Sequence, residues 1–234
     1  MSPRTQPEQH PPPVQWLRLR YARRGRARFT SHRDFSRAFE RALRRAAVPM
    51  AYSSGFSPHP RISYANAAPT GAASEAEFLE IGLTATRDPE QVRAELDRAL
   101  PAGLDIVAAQ VSPGDTMADR LTGSRWQIDV TGVEAAVLDR AVAAFLAREA
   151  VEVSRMTKSG LRTFDARAAV RDLRVDEGRL IATIAHQVPL VRPDDLLVAL
   201  SEVEPTWRPP HPPLLTRLVQ GQLDDTTGDI AAPL

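Results

Sequence analysis

The chain has 234 residues, 43% of them hydrophobic, and its 30 Lys and Arg against 29 Asp and Glu give a formal net charge of +1. This length allows one large core or two domains of roughly 90 to 110 residues. The absence of cysteine excludes disulfides, zinc-thiolate sites and cysteine-ligated iron-sulfur clusters, so we expect no cofactor of its own. No apolar run approaches the roughly 20 residues that cross a bilayer, and no signal peptide is evident, which predicts a cytoplasmic protein without membrane contact.

The charge is divided unevenly along the chain. Residues 1–66 contain 13 Arg against 3 acidic residues, a net charge of +10, whereas residues 67–234 contain 17 Lys and Arg against 26 acidic residues, a net charge of −9. A localised positive field steers polyanions even when the whole molecule is nearly neutral, which suggests a phosphate-carrying partner. The alternative is that the two parts neutralise each other across an internal interface.

The chain begins with a segment of low complexity and then a strand pattern. Residues 1–15 are polar and proline-rich, which predicts a disordered tail. The stretch WLRLRY, residues 16–21, alternates apolar and charged side chains as a half-buried strand does. After a turn at Gly25, Ala27 and Phe29 continue the alternation.

A helix is predicted next. Ser31 is a suitable N-cap with Asp34 three residues later, a near match to a capping box, and Pro49 sets the limit of the helix. One face is apolar at helical spacing and therefore faces a core. Its members are Phe35, Ala38, Phe39, Ala42, Leu43 and Ala46.

The opposite face of this helix is cationic. We call it the arginine ridge, and it consists of Arg33, Arg37, Arg41, Arg44 and Arg45. Solvated helix faces usually mix both signs of charge, but here Glu40 is almost alone. Because like charges at i, i+4 destabilise a helix, we favour contact with phosphates over a merely solvated surface.

The stretch SSGFSPHPRIS, residues 53–63, follows the ridge. Pro58 and Pro60 fix their own φ angles and keep the preceding residues out of helix, which predicts a rigid, extended loop. Such a loop presents His59 to solvent beside Arg61.

The rest of the first half completes a topology. RISYAN and EAEFLEIGLTA are predicted strands, RDPEQVRAELDRALPAG a helix capped by Asp88 with Pro89 at its first position, and LDIVAAQV a strand. The order strand, helix, strand, strand, helix, strand indicates a ferredoxin-like antiparallel sheet. Its first and third strands are neighbours, so Glu80 is a candidate partner for Arg18 and Arg20.

The second half repeats this order. SRWQIDVTG, AVEVSRM, two runs within DLRVDEGRLIATIA, and PLLTRLVQ are predicted strands, with helices over residues 133–146 and in RPDDLLVALSEV. The fold class is therefore α+β, with two tandem ferredoxin-like units. We expect domains at 16–112 and 122–220, and tails at 1–15 and 221–234.

Residues 29–81, from FTSHRDFSRAFERALRRAAVPM to GAASEAEFLEI, resemble the radical-SAM-linked protein family, a domain found beside or fused to cobalamin-binding radical SAM proteins. The likeness is carried by Ser31, His32, Asp34, Gly55, Phe56, Pro58, His59, Pro60, Ile62, Ser63, Gly71, Ser74 and Glu75, and more weakly by TRLVQGQLDD. Some relatives are encoded near ribonuclease E/G, so the resemblance implies an RNA or ribosome setting. Without cysteines the chain cannot hold the cluster itself, so any radical chemistry would occur on a partner.

Two histidines are candidates for catalysis. His32 begins the basic helix and His59 lies in the following loop, so both are expected at one end of the first unit. Two imidazoles beside Arg33 and Arg61 are a combination that cleaves RNA without metal, by acid and base transfer at the phosphate. The alternative is that His32 caps the helix and His59 hydrogen-bonds a carbonyl to fix the loop. Metal binding is not expected, because Asp34 is better used at the helix start.

A second basic patch lies in SRMTKSGLRTFDAR, residues 154–167. Its charges surround a Ser-Gly turn, and hairpins of this kind can follow a nucleic-acid groove. The alternative is a solvated loop, because nearby acidic residues dilute the charge. The basic residues are Arg155, Lys158, Arg162 and Arg167.

The residues and the resemblance together leave three functions open. We prefer an RNA-binding accessory protein that serves a cobalamin-dependent radical SAM protein or an RNA-processing enzyme. The alternatives are a metal-independent ribonuclease or RNA-modifying enzyme using His32 and His59, and a protein adaptor whose ridge docks an acidic enzyme. The expected phosphate contacts are Arg33, Arg37, Arg41, Arg44, Arg61, Lys158 and Arg162.

Overall fold

The computed structural model describes residues 9–157 and 160–234. The chain divides into two compact units, residues 1–117 and residues 118–233. The described residues mix α and β structure, with four α-helices and mainly antiparallel strand pairing. Within them, no α-helix is both long enough and apolar enough to cross a lipid bilayer.

Unit 1 contains four strands and two α-helices. In chain order they are β1 (Gln15–Arg23), a 3₁₀ helix (Gly25–Phe29), α1 (His32–Arg45), β2 (Ile62–Ala65), β3 (Ala73–Leu83), α2 (Pro89–Ala99) and β4 (Leu104–Val111). Strand β1 lies between β4 and β3, and β2 pairs with β3. All three pairings are antiparallel, so β1 and β2 run in the same direction on either side of β3.

The core of unit 1 follows from the two periodicities in its sequence. Alternate residues of β1 and β3 point to one face of the sheet, where the apolar stripe of α1 covers them. Tyr21 of β1 stacks on Phe35 of α1 with ring centroids 4.4 Å apart, and Phe35 in turn stacks on Phe39. This packing fixes the rotation of α1 and therefore holds the arginine ridge away from the core.

One prediction for the start of unit 1 is wrong. The alternation through Ala27 and Phe29 does not continue as extended chain but forms the 3₁₀ helix, which begins at Gly25 with a positive φ of 52° and buries none of its residues. Ala27 packs partly buried against the core whereas Phe29 is 66% exposed, so the two do not share a buried face as alternate residues of a strand would.

The described part of the predicted tail is ordered by contacts with the body of unit 1. The backbone N–H of Val14 donates to the carbonyl of Leu83 at 2.9 Å, and the N–H of His10 donates to the hydroxyl of Ser54 at 2.9 Å. Residues 9–14 therefore lie along the Pro-His-Pro loop, and residues 1–8 of the predicted tail lie outside the described residues.

Unit 2 follows a short 3₁₀ helix (Met117–Arg120) and contains more strands. They are β5 (Gly123–Asp129), α3 (Ala135–Leu146), β6 (Glu152–Thr157), β7 (Gly160–Asp165), a 3₁₀ helix (Arg167–Ala169), β8 (Val170–Asp176), β9 (Arg179–Ala185), α4 (Pro193–Val203), β10 (Leu214–Leu223) and β11 (Ile230–Ala231). The strand order is β10, β5, β9, β8, all antiparallel, and β11 pairs with β10. The last pairing gives regular structure to part of the predicted tail 221–234.

One predicted strand of unit 2 has a different partner. AVEVSRM was expected in the main sheet, but among the described residues β6 pairs only with β7, as a separate two-stranded hairpin. Only part of β6 is apolar on one face: Val153 is buried, whereas Met156 is 72% exposed. The outer half of the hairpin therefore lacks the continuous apolar face that a strand in a covered sheet requires.

Candidate nucleic-acid interface

Helix α1 begins where its sequence predicts. The backbone N–H of Asp34 donates to the Ser31 hydroxyl at 3.1 Å, and that hydroxyl donates to the Asp34 carboxylate at 2.7 Å. This cap satisfies one free N–H of the first turn and places a carboxylate near the positive end of the helix dipole. The 14 residues of α1 give a helix about 20 Å long, along which the arginine ridge extends.

The arginine ridge is exposed along its whole length. Near the end of α1, the guanidinium of Arg44 lies 3.9 Å from the Glu40 carboxylate, both partly exposed, and Arg45 donates to the carbonyl of Ala99 at 3.3 Å. An exposed pair at that distance contributes little. Among the described residues, no carboxylate lies within 4.0 Å of the other three members. These are Arg33, Arg37 and Arg41.

Unlike the arginines of the ridge, an arginine of β1 is buried and paired with carboxylates. Arg18 is 1% exposed and pairs with Glu80 at 3.0 Å and with Asp115 at 2.7 Å. Arg18 lies directly opposite Glu80 in the sheet, so the predicted cross-strand pair is confirmed for this residue. Arg20 instead lies opposite Phe78, and among the described residues Arg20 forms no ion pair with Glu80.

Two further arginines of the basic segment are also structural. Arg24 pairs with Glu75 and Asp105, and the hydrogen bond to Glu75 raises the pKa of Arg24 above its ordinary value. Arg23 is 3% exposed and donates to backbone carbonyls, including that of Pro69 at 2.9 Å. Arg18 and Arg24 are therefore paired with carboxylates and Arg23 is buried, whereas the arginines of the ridge are exposed.

The Pro-His-Pro loop, residues 53–60, is closed at its neck by hydrogen bonds. The N–H of Ser53 donates to the His59 carbonyl at 2.9 Å, and the N–H of His59 donates to the Ser53 hydroxyl at 3.1 Å. The His59 ring nitrogen Nδ1 is 2.9 Å from the same hydroxyl. Outside the neck, Tyr52 and Pro60 form a β-bridge. These bonds close the loop at its neck, and the His59 imidazole takes part in them.

The loop lies against the C-terminal end of the arginine ridge. A cavity of about 80 Å³ lies between them, lined by Leu43 and Arg44 of α1 and by Tyr52 and Pro60 at the neck of the loop. Arg61, just after the loop, is half-buried, and its Nε donates to the Tyr52 carbonyl at 3.3 Å.

The two candidate histidines have different surroundings. His32 contacts Tyr64 edge to face, with ring centroids 4.7 Å apart, at the N-terminal end of α1. The loop that carries His59 lies beside Arg44, and the 12 residues from His32 to Arg44 span about 18 Å of helix. The structure thus places His32 at the N-terminal end of α1 and the neck of the His59 loop near its C-terminal end. Ser31, not His32, caps the helix.

The second basic patch is largely used within unit 2. Arg155 pairs with Asp195 and lies over the Phe164 ring at 5.0 Å, and Arg167 lies over the Phe145 ring at 5.8 Å. Arg162 is exposed on β7. The predicted contact at Lys158 lies outside the described residues.

Sequence reasoning did not select the exposed aromatic rings as functional. Every phenylalanine, tyrosine and tryptophan of the chain is described, and the exposed ones all belong to unit 1: Phe29, Tyr52 and Phe56. Phe56, at the tip of the loop, is 73% exposed. The sequence did offer one signal for the exposure of Phe56. It lies between Gly55 and Ser57, in a stretch without the helical or strand periodicity that predicts a buried side chain.

No metal site is evident in residues 9–157 and 160–234, since no group of three His, Asp or Glu side chains there could hold an ion. The described site thus offers guanidinium groups, an aromatic ring and a fixed imidazole. It is suited to binding anions and planar groups.

The fold and site define a two-unit α/β protein with an open arginine helix in its first unit. The chain belongs to the bacterial family described as "Uncharacterized protein conserved in bacteria (DUF2344)", whose model matches residues 16–194. That match includes the whole motif region of unit 1, and it does not link the chain to radical SAM proteins.

Other comparisons add little. No curated protein matches the chain. A crystal structure of an unknown protein from Galdieria sulphuraria is 17% identical, and the match covers 82% of this chain and 92% of that chain with a TM-score of 0.27.

Proposed function

We propose that the chain is an RNA-binding accessory protein whose unit 1 contacts the phosphate backbone through the arginine ridge. The observation that supports this most directly is the absence of carboxylate partners, among the described residues, for Arg33, Arg37 and Arg41. Two other arginines of the same segment, Arg18 and Arg24, are paired with carboxylates, so the lack of such partners along the ridge is not shared by every arginine of the segment.

The geometry of α1 suits an extended polyanion. Residues four apart on a helix rise about 6 Å, so the ridge presents a row of planar donors along one line. Guanidinium groups hydrogen-bond phosphate oxygens in a bidentate manner and remain charged at any physiological pH. Each phosphate they neutralise releases counterions, which makes the affinity strongly dependent on salt.

The assignment to RNA rests on the resemblance of the SHRD and GFSPHPRIS motifs to the radical-SAM-linked family. On that basis the protein presents RNA to a partner, either a cobalamin-dependent radical SAM protein or an RNA-processing enzyme. Any iron-sulfur cluster belongs to the partner, since this chain has no cysteine.

We also propose that both units are ferredoxin-like. In unit 1 the first strand lies between the third and the fourth, and the second pairs with the third. In unit 2 the same order results if the β6–β7 hairpin is an insertion after α3, because β5 lies between β10 and β9, and β8 pairs with β9.

The test is RNA affinity as a function of salt. Fluorescence anisotropy with a labelled RNA of mixed sequence should give a linear plot of log affinity against log salt, with a slope of about −0.7 per phosphate contacted on a single strand. The double variant Arg37→Gln, Arg41→Gln should lower the magnitude of this slope by about 1.4, the contribution of two contacts. The matched control is Arg148→Gln, Arg208→Gln, which removes two exposed charges from unit 2.

An equal loss of slope in both double variants would contradict the proposal, because the effect would then come from net charge alone. Binding of an acidic protein partner that depends on the ridge, without RNA affinity, would support the adaptor instead. RNA cleavage in chelator that is lost in His59→Ala while affinity survives would support the ribonuclease.

A further inference from the structure

The exposure of the Phe56 side chain is not explained by packing within unit 1. It is 73% exposed, although every other phenylalanine of the chain except Phe29 is buried. Holding a phenyl ring in water forgoes the stabilisation of burying it, and the surrounding loop has no core that needs it. The ring sits between two small residues, Gly55 and Ser57, which leave both of its faces unobstructed by large neighbours in the chain.

The backbone of the loop on either side of Phe56 is held by hydrogen bonds. Its neck is closed by the reciprocal bonds between Ser53 and His59, and the Ser54 hydroxyl accepts from the N–H of His10. Gly55 has φ of 124°, a left-handed region that suits glycine, which turns the chain so that Phe56 lies at the tip. A ring on a pre-ordered loop loses little entropy when it stacks on a ligand.

The neck of the loop and the C-terminal end of the arginine ridge border one cavity. It is lined by Tyr52 and Pro60 at the neck and by Leu43 and Arg44 of α1. A ligand that follows the ridge with its phosphates therefore reaches the loop with its next groups. Arg61 adds a further cation at the foot of the loop.

The face of the sheet opposite α1 is not an alternative surface for base stacking. Some RNA-binding ferredoxin-like domains stack bases on aromatic residues of their sheet. Here Arg18 and Phe78 lie on that face, and each is 1% exposed. Bases therefore have no access to the sheet at these positions.

We propose that Phe56 is a stacking platform for an unpaired base, so that the ligand of the ridge is single-stranded RNA rather than a duplex. This inference rests on the proposed function and specifies its substrate class. A single strand can turn one base out onto the ring while its phosphates follow α1, whereas the bases of a duplex are stacked on each other and show their faces only at the ends. Because every base has a π-face, the preference for sequence is weak.

The experiment compares two variants of the loop in the full chain. Phe56→Ala removes the ring, and Phe56→Tyr keeps a ring of the same size as the matched control. With a labelled single-stranded RNA, Phe56→Ala should bind about 5- to 100-fold more weakly than the natural chain, and Phe56→Tyr within about twofold of it. A blunt duplex of the same sequence should bind more weakly than the single strand and be insensitive to both changes.

A second readout reports stacking itself. In a single-stranded RNA carrying 2-aminopurine, binding to the natural chain should change the fluorescence of the modified base, and binding to Phe56→Ala at saturating protein should not. The salt slope should stay the same in Phe56→Ala, because the phosphate contacts are elsewhere.

The possible failures are distinguishable. If Phe56→Ala binds single-stranded RNA as tightly as the natural chain while Arg37→Gln, Arg41→Gln weakens it, the stacking inference is overturned and the proposed function stands. If the duplex is bound as tightly as the single strand, the substrate class is also wrong. If neither set of changes affects binding, or if no RNA is bound, the proposed function itself fails.

Discussion

The neutralised arginine of β1 gives the most quantitative test of the division between structural and exposed charges. In Arg18→Met the buried guanidinium is lost, and the carboxylates of Glu80 and Asp115 keep their places without a cation. The Glu80 side chain is only 15% exposed and the Asp115 side chain 30%. Removing one partner of a buried pair costs about 3 to 5 kcal/mol.

We expect a cost at the lower end of that range, about 3 kcal/mol, because two features reduce the loss of stability. Asp115 is partly hydrated, and the Ser112 hydroxyl still donates to Glu80 at 2.8 Å. The assay is urea unfolding of the full chain, with the transition of unit 1 followed separately by hydrogen exchange of the β1 amides. RNA affinity should change less than about twofold, because Arg18 is buried and no charge of the ridge is removed.

The double variant Arg18→Met, Glu80→Leu completes the cycle. It removes the more buried of the two carboxylates left without a cation, that of Glu80, and fills its space with apolar atoms, so it should recover at least half of the lost stability. A double variant no more stable than Arg18→Met, or a cost below about 1 kcal/mol for Arg18→Met alone, would refute the view that this pair is a buried structural unit.

Three further predictions concern folding. Ser31→Ala should lower the free energy of unfolding by about 1 kcal/mol through loss of the α1 cap, whereas Ser31→Asp should retain most of it. Gly82→Ala should release residues 9–14 and speed their proteolysis, because the added Cβ would lie 2.8 Å from the ring of Pro13; unchanged proteolysis would contradict that packing. Burial lowers the pKa of His186, so its stabilising effect is complete above the ordinary value of 6.5 and falls as the pH drops below it. His186→Asn should therefore show a smaller fall of Tm from about pH 7.5 to about pH 5.5 than the natural chain, and an equal fall would contradict this.

Local signals in the sequence were sufficient for much of unit 1. The start of α1 depends on Ser31 and Asp34, three residues apart, and the ridge follows from helical spacing alone. The rigidity of the loop was evident from Pro58 and Pro60, because proline restricts its own backbone and that of the preceding residue. Such features need no knowledge of distant contacts.

Features that depend on tertiary contacts were not predictable in the same way. The second partner of Arg18 is Asp115, 97 positions later, which no local period indicates. The position of the His59 loop relative to His32 depends on which end of α1 the loop reaches, and sequence proximity does not determine that. The β6 segment has the local pattern of a sheet strand, and its pairing with β7 outside the main sheet depends on contacts that this pattern does not indicate.

Photo-crosslinking of purified protein to a single-stranded RNA, with the modified peptides mapped by mass spectrometry, tests the central claim most directly. We expect the crosslinks to concentrate in residues 29–61, which include the ridge and the loop, and to disappear from that region in Arg37→Gln, Arg41→Gln. Crosslinks concentrated in residues 152–165 of the hairpin, or unaffected by removal of the two arginines, would contradict the account.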